Sequence, residues 1–140
     1  MIREITVTDY PRLIEIWESA VRNTHDFLKE EDFAYYKKQL PGYFPHVTLS
    51  GFEQEGILVG FAGVAEGNLE MLFVDNNYRS TGIGKKLIEY AISHLQVTKV
   101  DVNEQNSQAV GFYRHMGFNI LNRSEQDGEG KEYPVLHMQL

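Results

Sequence analysis

The sequence predicts an α+β domain in which four helices flank one mixed sheet of seven strands. Several short segments alternate apolar and polar residues, as half-buried strands do, and others carry apolar residues at the helical period. These segments follow the order β-α-α-β-β-β-α-β-α-β-β, which combines hairpins with helical crossovers. The chain shows no repeat, low-complexity tract or linker, so we expect residues 1–140 to form a single domain.

The first strand and two helices are predicted over the amino-terminal third of the chain. Residues Ile2–Val7 alternate as a strand does, and Asp9 is expected to cap a helix that has Pro11 in its first turn. Its buried stripe consists of Tyr10, Leu13, Ile14, Trp17, Ala20 and Val21. A second helix is predicted over about residues 30–40, ended by the segment Pro41–Pro45.

Three strands and a third helix follow. The strands are predicted at His46–Phe52, Ile57–Ala65 and Leu69–Val74, with a turn at Glu53–Gly56 between the first two. The third helix begins after a glycine-rich stretch and buries Ile83, Leu87, Ile88, Ala91 and Leu95.

The carboxy-terminal part is predicted to alternate again between strands and a helix. Lys99–Glu104 forms a short strand. The next helix has Asn106 as its amino-terminal cap and Gly117 as its carboxy-terminal stop. Two last strands, Phe118–Gln126 and Glu132–Gln139, complete the sheet.

The charge balance argues against nucleic acid or an anionic membrane surface as the main partner. The chain has 20 acidic and 13 basic residues and a net charge of −7, whereas both of those partners favour a basic face. The amino terminus lacks the apolar run of a signal peptide, and no segment is apolar enough to span a bilayer. We therefore expect a cytoplasmic protein.

The chain contains no cysteine, which excludes disulfides, thiolate metal sites and a cysteine nucleophile. The five histidines do not show the spacing of metal ligands. The sequence therefore predicts no metal.

The segment Arg79–Leu87, RSTGIGKKL, has the character of an anion-binding turn at the start of a helix. The first backbone N–H groups of a helix lack internal partners, and glycines at 82 and 84 let a guest approach the main chain. The cations Arg79, Lys85 and Lys86 add charge. The spacing fits neither the nucleotide-triphosphate loop nor the dinucleotide fingerprint, which leaves a diphosphate or, alternatively, an ordinary turn with solvated lysines.

A second motif downstream identifies a family that the chain resembles. The two motifs are Arg79-x-x-Gly82-x-Gly84 and Asn106-x-x-Ala109-x-x-Phe112-Tyr113-x-x-x-Gly117-Phe118. Together, in this element order, they resemble the GNAT superfamily of acetyl-CoA-dependent N-acetyltransferases, in particular its small single-domain bacterial members. The resemblance covers nearly the whole chain.

The resemblance implies a fold in which strands 4 and 5 splay into a V-shaped gap that holds acetyl-CoA. It implies that the pantetheine arm pairs with the backbone of Leu72, Phe73 and Val74, and that the N–H of Val74 points at the thioester oxygen. The pyrophosphate is expected at Arg79, Ser80, Thr81, Gly82, Ile83, Gly84 and Lys85.

Further residues receive roles from the same resemblance. Asn106 is expected to hydrogen-bond the pantetheine, with Ala109 and Phe112 packed beside it. Tyr113 stands where the family has its general acid, which protonates the departing thiolate. A purely packing role is the alternative for this aromatic side chain. The absence of cysteine favours direct transfer rather than an acetyl-enzyme.

The general base is less well defined by the sequence. Glu70 and Asp101 lie on strands beside the expected gap, and either is a candidate to take the proton from the amine, directly or through water. A solvated strand carboxylate is the alternative for each.

His25 and Tyr133 are the candidates for binding the acceptor amine. His25 lies between the first two helices, where this family builds its acceptor wall, and Tyr133 shares a strand face with His137. A loop histidine that caps a helix end is the alternative for His25. An acidic protein suits a cationic acceptor, and similar small family members favour a protein or peptide lysine. A small-molecule amine, or a non-catalytic acyl-CoA-binding module, remains an alternative. The protein is expected to be a monomer or a homodimer.

Overall fold

The structure is a computed structural model that describes all residues, 1–140. Its seven strands are β1 (Ile2–Glu4), β2 (Thr48–Gln54), β3 (Ile57–Ala65), β4 (Asn68–Val74), β5 (Lys99–Asn103), β6 (Asn119–Ser124) and β7 (Val135–Gln139). They form one sheet in the order β1-β2-β3-β4-β5-β7-β6. Only the β4–β5 pair is parallel, which confirms the predicted mixed sheet.

Four α-helices cover the sheet, as predicted. They are α1 (Tyr10–Thr24), α2 (Glu30–Tyr43), α3 (Ile83–Leu95) and α4 (Ser107–His115). One buried cluster includes Leu87 and Ile88 of α3, and a second includes Leu13 of α1 and Phe33 of α2, so each cluster joins helices to the sheet. None of the helices has the length and apolar composition needed to span a membrane.

The chain differs from the prediction near its amino terminus. Strand β1 ends at Glu4 instead of Val7, and Val7–Asp9 forms a 3₁₀ turn. The Asp9 side chain does not cap α1. It accepts hydrogen bonds from the Thr6 backbone N–H at 2.9 Å and from the Arg3 guanidinium at 3.0 Å. Asp9 therefore stabilises the turn that precedes the helix rather than the helix itself.

Helix α2 also departs from the prediction, because it passes through Pro41 and ends at Tyr43. Pro41 has no N–H, so the helix lacks one hydrogen bond there, and it ends two residues later. The following 3₁₀ turn, Phe44–His46, then changes the direction of the chain toward β2. The predicted stop at Leu40 was therefore three residues early.

The predicted splay between β4 and β5 is present. Only two pairs of residues join these strands, Asn68 with Lys99 and Leu69 with Val100, and beyond them the strands pair only with their other neighbours. On the side of β4 away from the gap, the backbone N–H of Asp75 donates to the carbonyl of Val59 in β3 at 2.8 Å. Because successive N–H groups alternate across a strand, the N–H of Val74 points into the gap.

Candidate active site

The gap between β4 and β5 opens into a cleft of about 360 Å³, bordered by α3 and α4. The cleft brings together residues from both sequence motifs, which are far apart in the chain. The predicted cofactor residues that line it are Leu72, Phe73, Val74, Arg79, Ser80, Gly82, Ile83, Gly84, Lys85, Asn106, Ala109, Phe112 and Tyr113. The exception is Thr81, which is exposed and does not line the cleft. Its hydroxyl donates to the Tyr78 carbonyl at 2.5 Å and holds the turn before α3.

The start of α3 presents free backbone N–H groups to this cleft. The first helical bond runs from the N–H of Lys86 to the carbonyl of Gly82 at 3.0 Å, so the N–H groups of Ile83, Gly84 and Lys85 have no partner within the helix. Gly82 adopts φ +85°, a left-handed conformation that glycine accepts without strain. The arrangement is therefore suited to hold an anion on the positive end of the helix dipole.

The three cations of the loop have different positions. Arg79 donates to the side-chain oxygens of Gln108 on α4 and of Asn76, the latter at 3.3 Å, so it spans the mouth of the cleft. Lys85 lines the cleft. The Lys86 ammonium lies 5.5 Å from the centre of the Phe52 ring and does not line the cleft, so its predicted contribution to anion binding has no support here.

Asn106 caps α4 and faces the cleft at the same time. Its Oδ1 accepts a hydrogen bond from the backbone N–H of Ala109 at 3.3 Å. The side-chain NH₂ has no partner in the protein, although Asn106 lines the cleft. This NH₂ is therefore available to donate to a bound molecule.

Tyr113 combines a packed ring with an accessible hydroxyl. The ring is 7% exposed and lies edge-on to Phe112 and Phe118, at 5.3 and 5.9 Å between centres. The hydroxyl makes no hydrogen bond to the protein, yet no fully buried polar side-chain atom lacks a partner, so it must open into the cleft. Burial raises the pKa of Tyr113 and keeps it protonated.

A second cavity, of about 490 Å³, adjoins the cleft. His25 and Phe73 line both spaces, so the two spaces adjoin at these side chains. Apolar and aromatic side chains form much of the wall of the second cavity, and three carboxylates also border it. The wall includes Trp17, Leu28, Leu40, Met71, Tyr36, Tyr43 and Tyr133, and the acids are Glu70, Asp127 and Glu129.

The two residues predicted to bind the acceptor amine, His25 and Tyr133, both line this second cavity but are held differently. Tyr133 is buried, and its hydroxyl accepts from the backbone N–H of Lys29 at 3.1 Å and donates to Asp32. These two hydrogen bonds hold the Tyr133 side chain in the wall of the second cavity. His25 lies where the two spaces adjoin and retains a free ring nitrogen. Burial, together with the nearby Glu70 carboxylate, raises the pKa of Tyr43 to about 12.

The two candidate bases, Glu70 and Asp101, share a third cavity, but only Glu70 also reaches the second. Glu70 lines the second cavity and this third one, of about 350 Å³, whereas Asp101 lines the third cavity only. Asp101 Oδ1 lies 2.6 Å from His137 Nδ1, and His137 Nε2 lies 2.6 Å from Ser124 Oγ. No three His, Asp or Glu side chains are arranged to hold a metal ion.

Several residues of the site had no signal in the sequence. Ala20, Thr24, Tyr78 and Gln108 also line the cleft. They come from α1, the turn before α3 and the first turn of α4, and only the folded chain brings them together. Gln108 occupies an unspecified position of the second motif, which was its only possible signal.

Comparison with known proteins decides the family. A family model described as "Acetyltransferase (GNAT) domain" matches residues 16–140. The chain belongs to the GNAT acetyltransferase family. It is 39% identical over 128 residues to the peptidyl-lysine N-acetyltransferase YjaB of Salmonella typhimurium, which covers 91% of this chain and 88% of that one. As a member of the family, the chain is an N-acetyltransferase, and the predicted activity is confirmed at that level.

Solved structures agree with this membership. The apo form of YjaB from Escherichia coli superimposes with a TM-score of 0.91 at 35% identity, covering 99% of this chain and 95% of that one. The PaiA N-acetyltransferase of Thermoplasma acidophilum, solved in complex with coenzyme A, has a TM-score of 0.71 at 20% identity over 100% and 98% of the two chains. The prediction of acetyl-CoA as co-substrate is consistent with the family and with the cleft described above.

Proposed function

We propose that the acceptor of this GNAT acetyltransferase is the side-chain amine of a protein or peptide lysine. The observation that carries the proposal is that His25 and Phe73 line both the second cavity and the cofactor cleft, and we propose that a passage open to the substrate joins the two spaces there. An aliphatic chain can pack on the apolar wall of that cavity while its amine reaches the passage, and Glu70 offers a negative charge. The activity named for the Salmonella relative supports the same acceptor.

The cleft supplies a partner for each part of acetyl-CoA. The free N–H groups at the start of α3, with Lys85 and Arg79, bind the pyrophosphate. The gap-facing backbone of Leu72 and Val74 pairs with the pantetheine amides, and the NH₂ of Asn106 donates to the same arm. The N–H of Val74 donates to the thioester oxygen and stabilises the negative charge that develops there.

Proton transfers fall to side chains on either side of the passage. Tyr113, protonated and open to the cleft, donates a proton to the departing thiolate. Glu70 lines the second cavity, which is the acceptor cavity of this proposal, and takes the proton from the incoming ammonium through water. Asp101 is the second candidate base, but it reaches the acceptor path only through the third cavity. We propose a monomer or a homodimer, with no nucleic acid or membrane partner.

Calorimetric titration with acetyl-CoA tests the anion site. Arg79→Ala is expected to weaken binding about tenfold or more, because a charge-assisted contact is lost. Lys86→Ala is the matched control, since that ammonium lies over Phe52. Equal weakening by both variants would show a general charge effect, and no binding by the folded wild type would overturn the function.

A thiol-release assay tests the acceptor. Single-lysine peptides with their amino termini blocked are compared with the same peptides carrying norleucine, and with spermidine. Turnover that requires the lysine supports the proposal. Turnover with spermidine alone would assign the enzyme to small amines instead.

A further inference from the structure

The hydroxyl of Thr24 fixes which nitrogen of the His25 ring carries the proton. Thr24 has one hydroxyl proton, and it donates this proton to the Ala20 carbonyl at 2.8 Å. The same oxygen lies 2.7 Å from His25 Nδ1. Because the hydroxyl proton is already used, Nδ1 must be the donor in this second bond. In the neutral ring, Nε2 then carries the lone pair.

This lone pair has no partner in the protein. The His25 ring makes one hydrogen bond, through Nδ1, and no fully buried polar side-chain atom lacks a partner, so Nε2 is not fully enclosed by the protein. Of the three cavities described above, His25 lines the cofactor cleft and the second cavity. The ring is held against Phe27, with the centres 5.2 Å apart. Nε2 is therefore an unpaired acceptor on a held ring that lines both spaces.

We propose that His25 positions the acceptor amine by accepting a hydrogen bond from one of its N–H groups at Nε2. The inference rests on the proposed lysine acetylation. A neutral amine has two N–H donors and one lone pair, and only the lone pair attacks the thioester carbon. An acceptor that holds one N–H at the passage limits the directions in which the lone pair points. Thr24 acts through His25 and is a second positioning residue.

The role is that of an acceptor and not of a base. Burial lowers the pKa of His25 to about 4, although the Asp26 carboxylate acts in the opposite direction. The ring is therefore neutral at neutral pH, does not repel a cationic substrate, and leaves the proton of the ammonium to a carboxylate.

The tautomer is measured by nitrogen-15 NMR of the histidine rings at neutral pH. We expect Nδ1 of His25 to be protonated and Nε2 to be unprotonated. His94 is a matched control, because Ser93 donates to the Glu89 carbonyl and contacts His94 Nδ1 in the same way on an exposed surface. A proton on Nε2 of His25 would overturn the inference without affecting the acetyltransferase function.

Kinetics with a single-lysine peptide test the consequence. Thr24→Val removes the hydroxyl, and we expect kcat to fall about tenfold, the effect of losing one oriented hydrogen bond. Thr24→Ser is expected to recover most of this loss. His25→Phe keeps a ring beside Phe27 but has no acceptor, so its loss should be at least as large. Binding of acetyl-CoA, measured by calorimetry, should stay within about twofold of wild type in each variant.

The outcomes separate the inference from the function on which it rests. A wild-type enzyme that acetylates the peptide, with unchanged kcat in Thr24→Val and His25→Phe, overturns the positioning role only. A shifted acid limb of the kcat/KM profile in Thr24→Val would make His25 the base and would also overturn it. A folded wild type that acetylates no lysine overturns both. Ser93→Ala is expected to have no effect.

Discussion

At the scale of single residues, the site depends on groups whose hydrogen-bonding capacity the protein itself leaves unused. The Tyr113 hydroxyl, the Asn106 amide NH₂ and the Nε2 atom of His25 all lack a protein partner and belong to residues that line the cleft. Two of the three were recognisable in the sequence because they belong to a motif of fixed spacing. The free nitrogen of His25 was not, because it follows from the Thr24 hydroxyl being occupied by Ala20.

Tyr113→Phe tests the general acid. We expect kcat to fall about 100-fold, the lower range for loss of a general acid, with acetyl-CoA affinity within about twofold of wild type. Tyr90→Phe is the matched control, because that ring stacks on His94, 4.5 Å between centres, and does not line the cleft. Steady-state kinetics and calorimetry measure the two effects. If turnover survives in Tyr113→Phe, the residue serves packing alone.

Asp9 gives a prediction on pH. The Arg3 guanidinium, with the Thr6 N–H, lowers the pKa of Asp9 to about 2 from an ordinary value near 4. A lowered pKa in the folded state adds stability that is complete above about pH 4 and is lost as the pH falls toward about 2. We expect Asp9→Asn to reduce the free energy of unfolding at pH 7 by about 1 kcal/mol.

The check is urea unfolding of both proteins between about pH 2 and pH 7. The difference between wild type and Asp9→Asn should shrink as the pH falls below about 4. Glu15→Gln is the control, because its 3.4 Å contact with Arg12 is exposed. A difference that does not depend on pH would show that Arg3 and Asp9 do not interact as charges.

At the scale of elements, the period of the sequence predicted each helix and strand, but not where several of them end. Pro41 lies inside α2, two residues before its end, although its missing N–H removes one hydrogen bond. The first strand is short because Asp9 satisfies the Thr6 N–H and starts a turn. This second difference comes from a local hydrogen bond, which the apolar pattern does not report. The hydrogen-bonded series Asp101, His137 and Ser124 could not be predicted from the sequence either, because it depends on the register of β5, β7 and β6.

Alanine substitutions at two glycines, one at the start of α3 and one inside α4, are expected to change the free energy of unfolding in opposite directions. Gly82 caps α3 at φ +85°, so Gly82→Ala should cost about 1 kcal/mol of stability through backbone strain alone, because the space around it is open. Gly111 is exposed within α4, has no positive φ, and has nothing within 4 Å of an added Cβ. Gly111→Ala should therefore stabilise by about 0.5–1 kcal/mol.

Urea unfolding of the two variants measures both changes. Each variant serves as the control of the other, since the same methyl group is added at an open position. If Gly82→Ala is neutral, the left-handed conformation at the start of α3 is wrong, and with it the placement of the free N–H groups.

At the scale of the whole molecule, the splay of the sheet forms the cleft on which the proposed catalysis depends. Between β4 and β5 the two parts of the sheet are joined by only two residue pairs, and the gap beyond them leaves backbone groups unpaired. The resemblance to the family implied this gap, whereas hydrophobic periodicity alone would have predicted that β4 and β5 pair along their whole length. A molecule bound in the gap replaces the missing strand contacts and links β4, α3 and α4. Binding of acetyl-CoA should therefore change protection along β4 in an alternating pattern.

Amide hydrogen exchange tests this alternation directly. Without ligand, the N–H groups of Leu72 and Val74 face the gap and should exchange fast, whereas those of Phe73 and Asp75 face β3, where Asp75 bonds Val59, and should exchange slowly. With acetyl-CoA at about 100 times its Kd, the folded state gains about 2.7 kcal/mol. Protection from global unfolding then rises equally at every amide, but only Leu72 and Val74 gain protection from new hydrogen bonds as well. A rise at Phe73 as large as that at Val74 would mean that the pantetheine arm does not pair with β4, and that the N–H of Val74 is not the group that stabilises the thioester oxygen.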